Sequence, residues 1–264
     1  MQKILVAGAV GKMGLEIVKT ILSDKNLKLV GVLGNKTGLG EDIGKLTLGK
    51  EIGLLVRNDF DNLLEECKPD IVLDVTNAEP SYNIILKALE RNINCITGTT
   101  GFSQKQLDKI KELTEKNNLT TIIAPNFSIG AVLMMKFSEN AAKYFDNVEI
   151  IEMHHEKKKD SPSGTAIKTA EMISKNNKKF NENLPESEEK IAGVRGGCIN
   201  NINIHSIRTP GFVATQEVIF GGLGQIFVIK HQTINREAYM PGVTFCIKRL
   251  PEIKGYIYGL ENIL

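Results

Sequence analysis

The sequence predicts an α/β protein: a doubly wound parallel sheet followed by a C-terminal α+β domain with a mostly antiparallel sheet. Three observations carry this expectation. Ile4-Leu5-Val6-Ala7 is a short apolar run that stops at a glycine cluster, the pattern of a strand buried on both faces. Strand-like and helix-like segments then alternate as far as Asn126. Later in the chain, strand-like runs are separated only by Pro210-Gly211 and Gly221-Gly222-Leu223-Gly224, as in antiparallel sheets with short turns.

Each element has a local reason. Between Lys12 and Leu22, the residues Met13, Ile17, Val18, Ile21 and Leu22 recur at helical spacing. Leu27–Leu33 and Ile71–Thr76 are the second and third strands. Pro80 suits a first helical turn and opens a helix through Ile84, Ile85, Ala88 and Leu89. Ile93–Ile96 is a strand, and Ser103 with Gln106 forms a capping box for a helix ending near Lys116. Thr120–Ala124 is another strand. A helix over Ser128–Lys143, a strand over Val148–His155 and a helix over Thr165–Ser174 follow. The polar stretch Asn176–Lys190 is expected to be a mobile loop. Strands come next over Ile202–Arg208, Phe212–Phe220 and Gln225–Gln232. A last helix is expected within Asn235–Leu250, with Pro241-Gly242 near its start, and a tail that returns to the first domain.

Composition narrows the function. The chain has 264 residues, enough for one large or two modest domains with a real core. Lys and Arg number 33 against 31 Asp and Glu, so no whole-protein field for nucleic acid or a membrane surface is expected. Cys67, Cys95, Cys198 and Cys246 lack C-x-x-C or zinc-ligand spacing, so they read as free thiols and no metal site is expected. No apolar run approaches the roughly 18–20 residues of a membrane span. The N-terminus lacks the layout of a signal peptide, and a cytoplasmic location is expected.

Gly8-Ala9-Val10-Gly11-Lys12-Met13-Gly14 lies between the first strand and the first helix. Glycines there let the backbone approach a pyrophosphate, and the helix N-terminus faces its charge, the arrangement of a Rossmann-like dinucleotide site. The spacing is G-x-x-G-x-x-G rather than the usual G-x-G-x-x-G. An NAD site normally ends its second strand with an acid for the ribose hydroxyls. Here Leu33 is followed by Gly34-Asn35-Lys36. Either Lys12 and Lys36 attract a 2′-phosphate, which favours NADPH over NADH, or Lys36 is a solvated loop lysine. Glu41 and Asp42 are the next acids in line for a ribose, several residues further on. Thr76-Asn77, Gly98-Thr99-Thr100 and Ala124-Pro125-Asn126-Phe127 follow later strands, where ligands of such sheets bind.

The stretch His154-His155-Glu156-Lys157-Lys158-Lys159-Asp160-Ser161-Pro162-Ser163-Gly164-Thr165-Ala166 is the other concentration of chemistry. The chain has four histidines, and two of them are adjacent here. Successive strand side chains point to opposite faces, so both serve one site only if the strand ends between them. Histidine donates a proton near neutral pH. The lysines are either a solvated face or a grip on an anion. Ser163-Gly164-Thr165-Ala166 opens a helix, either as a plain N-cap or as a carboxylate site.

This stretch matches H-H-x-x-K-x-D-[AS]-P-S-G-T-A, the signature of the dihydrodipicolinate reductase family, and the chain resembles that family over nearly its whole length. Gly8 to Gly14, Gly98 to Gly101, Ala124-Pro125-Asn126 and the pair His231 and Arg236 fit the same layout. The resemblance implies reduction of 4-hydroxy-tetrahydrodipicolinate with NADPH or NADH in the diaminopimelate and lysine pathway. It implies that hydride adds to ring C4 and that an enzyme acid protonates the enamine-like product. It assigns His154 and Lys158 as the proton-donor pair, and His155, Ser163, Gly164 and Thr165 as contacts to the dicarboxylate substrate. Gly8, Ala9, Val10, Gly11, Lys12, Met13, Asn35, Lys36, Thr76, Gly98, Thr99, Thr100, Ala124, Pro125, Asn126 and Phe127 become the cofactor contacts. The domains expected are 1–126 with 241–264 for the dinucleotide and 127–240 for substrate and oligomerisation, in a homotetramer. Departures from the pattern are Gly34 in place of an acid, Val75 in place of a phenylalanine, and Gln216 where a charged residue or histidine is common. Other readings are a different NADP-dependent reductase or dehydrogenase of an amino acid or semialdehyde, or a nucleotide-binding sensor without catalysis.

Overall fold

The computed structural model describes residues 1–176, 178–185 and 188–264. The chain divides into two compact units, Met1–Phe127 with Tyr239–Leu264, and Ser128–Ala238. The first half runs β1 (Gln2–Ala7), α1 (Lys12–Ser23), β2 (Leu27–Leu33), α2 (Ile43–Leu48), α3 (Phe60–Cys67), β3 (Ile71–Asp74), α4 (Ala78–Glu90), β4 (Asn94–Thr97), α5 (Gln104–Lys116) and β5 (Thr120–Ile123). The second unit holds α6 (Ile129–Ala141), β6 (Asn147–His154), α7 (Gly164–Ser174), β7 (Gly197–Ile199), β8 (Ile202–Arg208), β9 (Ala214–Gly222) and β10 (Gln225–Thr233). The chain then returns to the first unit through α8 (Met240–Arg249) and β11 (Gly255–Tyr258).

The first unit's sheet has the order β11-β5-β4-β3-β1-β2, and every pairing in it is parallel. Strands β3 and β5 are buried at every residue, which is why neither sequence alternates apolar with polar residues. The order reverses at β1, whose Ala7 lies beside both Leu33 of β2 and Asp74 of β3. That switch point brings the loops after β1, β2 and β3 to one end of the sheet. Ser103 and Gln106 form both halves of the capping box at the start of α5. The elements α2, α3 and β11 are absent from the sequence reading; they are too short to show a clear period. The expected return of the tail is present: β11 pairs with β5 as the sixth strand.

The second unit's sheet has the order β10-β9-β6-β8-β7 and is mixed. Strand β6 pairs antiparallel with β9 and parallel with β8. The strands flanking Pro210-Gly211 are therefore not hairpin partners, because β6 lies between them and takes the hydrogen bonds of both. True hairpins join β9 to β10 and β7 to β8. The second turns on Asn200 and Asn201, with φ of 50° and 63°, the left-handed pair that suits a tight hairpin and that asparagine tolerates. Helices α6 and α7 pack on one another.

The polar stretch expected to be mobile is held at two points. Phe180 is wholly buried, and the Asn181 side chain hydrogen-bonds the Val148 amide and carbonyl on β6 and the Asn201 carbonyl. Asn177, Glu186 and Ser187 of that stretch lie outside the described residues.

Gly242 near the start of α8 lies so close to the chain at Phe127 that a Cβ there would fall on the Phe127 carbonyl oxygen. Gly242→Ala is therefore expected to lower the urea-unfolding free energy by about 1–3 kcal/mol, the ordinary range for overpacking. Urea titration followed by circular dichroism measures it.

Candidate functional site

In the first unit, β1 runs into the glycine loop and α1 rises from it. Gly8 has φ +79°, and a Cβ there would sit 2.9 Å from the Val75 carbonyl oxygen at the end of β3. Only glycine meets both constraints. A Cβ on Gly14 would fall on the Gly8 carbonyl, so α1 packs directly against the loop. The amides of Gly8 and Ala9 are already bonded to the Leu33 carbonyl, at 3.0 and 3.2 Å, and Ala9 is fully buried. The N-cap of α1 is Gly11, which brings no side chain to the first-turn amides of Lys12 and Met13. A bare helix N-terminus above a tight glycine loop fits a dinucleotide pyrophosphate.

The loop after β2 packs beside Val10. A Cβ on Gly34 would lie 2.6 Å from Val56 Cγ1 and 3.5 Å from Val10 Cγ2, so an acidic side chain has no room here without displacement. The exposed Asn35 and Lys36 follow, and Lys12 is also exposed. Asp42, considered as a ribose ligand, is spent elsewhere. Its carboxylate caps α2 and accepts backbone bonds from Gly44, Lys45, Ile52, Gly53 and Leu54.

Asp74, the last residue of β3, is fully buried and organises the loops beyond it. Its carboxylate accepts from Ser81 Oγ at 2.5 Å, Thr76 Oγ1 at 2.6 Å, and Thr97 and Thr99 Oγ1 at 2.8 Å each. The hydroxyls of Thr76 and Thr99 are thus turned toward Asp74, while Thr100 is exposed. The Phe127 ring presses on Gly98, where a Cβ would lie 2.6 Å from Cε2. Phe127 and Ala124 are buried, Asn126 is half-buried and Pro125 is exposed.

In the second unit, β6 ends at His154, so the strand terminates between the two histidines. His154 shares a strand face with Glu152 two residues earlier, while His155 lies beyond the strand and is exposed. The His154 Nδ1 is 2.5 Å from Glu152 Oε2, and its side chain is 15% exposed. The chain then turns, with the Lys158 amide bonded to the His155 carbonyl at 3.1 Å. Lys158 Nζ donates to both carboxylate oxygens of Asp160, at 2.7 and 2.8 Å. Lys157 and Lys159 are exposed, so the lysine run divides into one held residue and two solvated ones.

Ser163 is the N-cap of α7, its hydroxyl accepting from the Ala166 amide at 3.2 Å. The Ser163 amide donates to Glu152 Oε1 at 3.2 Å, and the residue is buried. Gly164 is exposed at the start of the helix, with Thr165 next to it. The Ser163 groups thus have internal partners, whereas Gly164 faces outward. His231 lies within hydrogen-bond reach of Ser128 and packs against Gly130, and burial pushes its pKa down. Arg236 is exposed.

The sequence reading passed over Glu152, Arg208 and Asp74. Each acid does carry a signal, Asp74 at the end of an otherwise apolar strand and Glu152 in phase with the buried Val148 and Ile150, where a carboxylate is costly unless bonded. Arg208 Nη1 and Nη2 grip the two oxygens of Glu152 at 2.9 and 2.7 Å. Burial alone would raise the Glu152 carboxyl, but hydrogen bonds from His154 and Arg208 hold it down at about 2. Among the described residues, no group of His, Cys, Asp and Glu is arranged to hold a metal ion.

Two family models match the chain. One described as "Dihydrodipicolinate reductase, N-terminus" covers residues 2–127, and one described as "Dihydrodipicolinate reductase, C-terminus" covers residues 130–264. The 4-hydroxy-tetrahydrodipicolinate reductase of Carboxydothermus hydrogenoformans is 46% identical over 267 residues, covering 100% of each chain. That of Syntrophomonas wolfei is 44% identical over 262 residues, covering 99% of this chain and 98% of its own. A dipicolinate-bound dihydrodipicolinate reductase from a Paenisporosarcina species superimposes with a TM-score of 0.89 at 42% identity, over 100% of both chains. An amine dehydrogenase from Mycobacterium smegmatis, with a TM-score of 0.71 at 14% identity over 98% of this chain and 95% of its own, shares the fold alone.

The Glu152 ion pair has a pH signature. A carboxyl held at about 2 in the folded chain, against an ordinary 4.5, adds stability that is fully present above about pH 4.5. That contribution is lost as pH falls toward 2. The stability difference between wild type and Glu152→Gln should therefore shrink on acidification through this window, as measured by denaturant unfolding at each pH.

Proposed function

The chain belongs to the dihydrodipicolinate reductase family, and on that premise we propose that it reduces 4-hydroxy-tetrahydrodipicolinate to tetrahydrodipicolinate with a nicotinamide dinucleotide. The reaction is a step of diaminopimelate and lysine synthesis. The observation that carries the reading is His154, held at the end of β6 by a buried carboxylate, with Lys158 at the next turn and the start of α7 following. A catalytically silent sensor has no need of that arrangement.

Loss of the 4-hydroxyl as water leaves a conjugated ring, and a nicotinamide nucleotide held by the first unit would supply hydride to its C4. His154 then protonates the enamine-like product, and Lys158 assists it once its ammonium leaves Asp160 for the anionic substrate. His155, Ser163, Gly164 and Thr165 hold a substrate carboxylate, supported by the amides and dipole at the start of α7. In the first unit, Gly11, Lys12 and Met13 receive the pyrophosphate, with Gly8, Ala9 and Val10 shaping the loop beneath. Thr76, Gly98, Thr99, Thr100, Ala124, Pro125, Asn126 and Phe127 form the nicotinamide side.

Asn35 with Lys36 and Lys12 receives a 2′-phosphate, so NADPH is the preferred cofactor and NADH the poorer one. Two observations support this: Gly34 leaves no space for an acid, and Asp42 is consumed by backbone amides. The first unit is then the dinucleotide-binding domain and the second the substrate-binding and oligomerisation domain. Ile226, Phe227 and Val228 of β10 are exposed, an apolar strand suited to homotetramer assembly. No described helix is long and apolar enough to cross a membrane; a cytoplasmic location accords with the biosynthetic role.

His154→Gln is expected to lower kcat by about 10²–10⁴-fold, the usual worth of a general acid. The assay follows NADPH oxidation with the product of the dihydrodipicolinate synthase reaction as substrate. A rate near wild type removes His154 from the donor role. NADPH should show the higher kcat/KM of the two cofactors, and Lys36→Ala should narrow the gap; a strong NADH preference overturns the phosphate assignment. Light scattering should give the mass of four chains.

A further inference from the structure

The buried pair Glu152 and Arg208 lies outside the roles assigned above, yet it touches them at several points. Glu152 is fully buried on β6. Removing an ionised carboxylate from water is costly unless its oxygens are bonded by well-placed donors. Oε1 accepts from Arg208 Nη2 and the Ser163 amide, and Oε2 from Arg208 Nη1 and His154 Nδ1. Arg208 is the register partner of His154 in the parallel β6–β8 pair, so its guanidinium arises beside the strand end. Its Nη2 also donates to the Asp160 carbonyl at 2.8 Å, and the Asp160 carboxylate holds Lys158. One cation therefore ties down the surroundings of both members of the donor pair.

We propose that Glu152, fixed by Arg208, is a positioning residue for proton transfer: it accepts Nδ1–H of His154, sets that tautomer, and leaves Nε2 as the atom that gives the proton. This rests on His154 being the donor. An ionised carboxylate can only accept, so the nitrogen facing it must carry hydrogen. The low pKa of Glu152 keeps it in that acceptor form. No described residue bonds Nε2, and the part-exposed ring leaves that edge for a ligand. In the step itself, the Nε2–H bond of the imidazolium breaks. The π pair of the enamine-like product takes the proton to form a C–H bond. The ring returns to neutrality with its remaining proton on Nδ1, still bonded to Glu152. Without the carboxylate, the imidazolium loses its counter-charge and the neutral ring its tautomeric preference.

A structural role alone predicts a loss of stability from changes at Glu152, but no change in turnover by the protein that remains folded. Positioning predicts a loss in kcat. Glu152→Gln, which keeps the shape, should lower kcat by about 10²-fold or more. KM for NADPH and for the dicarboxylate should stay within about threefold, because the interaction matters in the transition state rather than in binding. Arg208→Lys, which keeps the charge but not the two-pronged grip, should lower kcat less. The wild-type enzyme itself supplies a test that needs no altered chain to fold. With ¹⁵N-labelled histidine, and His154→Gln to assign the signal, long-range ¹H–¹⁵N spectra of neutral His154 should show the Nδ1–H tautomer. A predominant Nε2–H form overturns the proposal, as does a folded Glu152→Gln enzyme with wild-type kcat. If His154→Gln itself turns over normally, the donor reading fails. If it is crippled while Glu152→Gln is not, only the positioning role fails.

Discussion

An ionised carboxylate buried in the second unit must be bonded on every side, and Glu152 imposes that requirement on everything near it. A cation has to arrive from the neighbouring strand, which β8 provides because it runs parallel to β6 and brings Arg208 opposite His154. An amide has to arrive from the helix side, which the Ser163 turn provides. The histidine two residues on donates as well, and the Ser206 side chain supplies a further hydrogen bond. Sheet register, the entry to α7 and the orientation of the imidazole are thus consequences of one desolvated charge. Its bonds to Arg208 and to the ring offset the cost of burial together, so neither can be considered as an independent ion pair.

The first unit meets a similar problem differently. Asp74 is also fully buried, but it accepts from the hydroxyls of Thr76, Ser81, Thr97 and Thr99 and from the Thr76 amide. Hydroxyls rotate to suit an acceptor and carry no charge to be balanced. Together these bonds gather the ends of β3 and β4 and the start of α4, and they shape the loops that open there. Glu152 contacts a titratable ring and can influence chemistry; Asp74 contacts none and acts through position.

The other organising constraint in the first unit is steric. At Gly8, Gly14, Gly98 and Gly242, backbone or ring atoms occupy the space a side chain would take. Three of these glycines line the loops assigned to the nucleotide and the fourth starts the helix that returns the chain to that unit. The absence of an acid at residue 34 belongs to the same pattern, since Val56 fills the place. Packing around β2 therefore closes the position at which an acidic side chain would otherwise stand.

Periodicity alone revealed the long elements of the alternating half, because an amphipathic helix and a buried strand each impose a repeat that local residues must obey. It also revealed the glycine loop and the capping box at Ser103, whose geometry is settled within a few residues. The strand order was beyond its reach. Nothing local says that β6 inserts between β8 and β9, or that the four residues of β11 complete the first sheet. The same division holds at the site. Residue types named the histidines, the lysine run and the helix start as chemistry. The family motif separated His154 from His155 and Lys158 from its neighbours by resemblance, and the folded chain supplies the physical difference: the strand ends between the histidines, and Lys158 is bonded to Asp160. Arg208 is 56 residues from Glu152 in sequence, and their contact exists only because two strands align. Motifs report what a segment must be by itself, whereas partners for a buried charge are supplied by whatever the tertiary structure brings within hydrogen-bond distance.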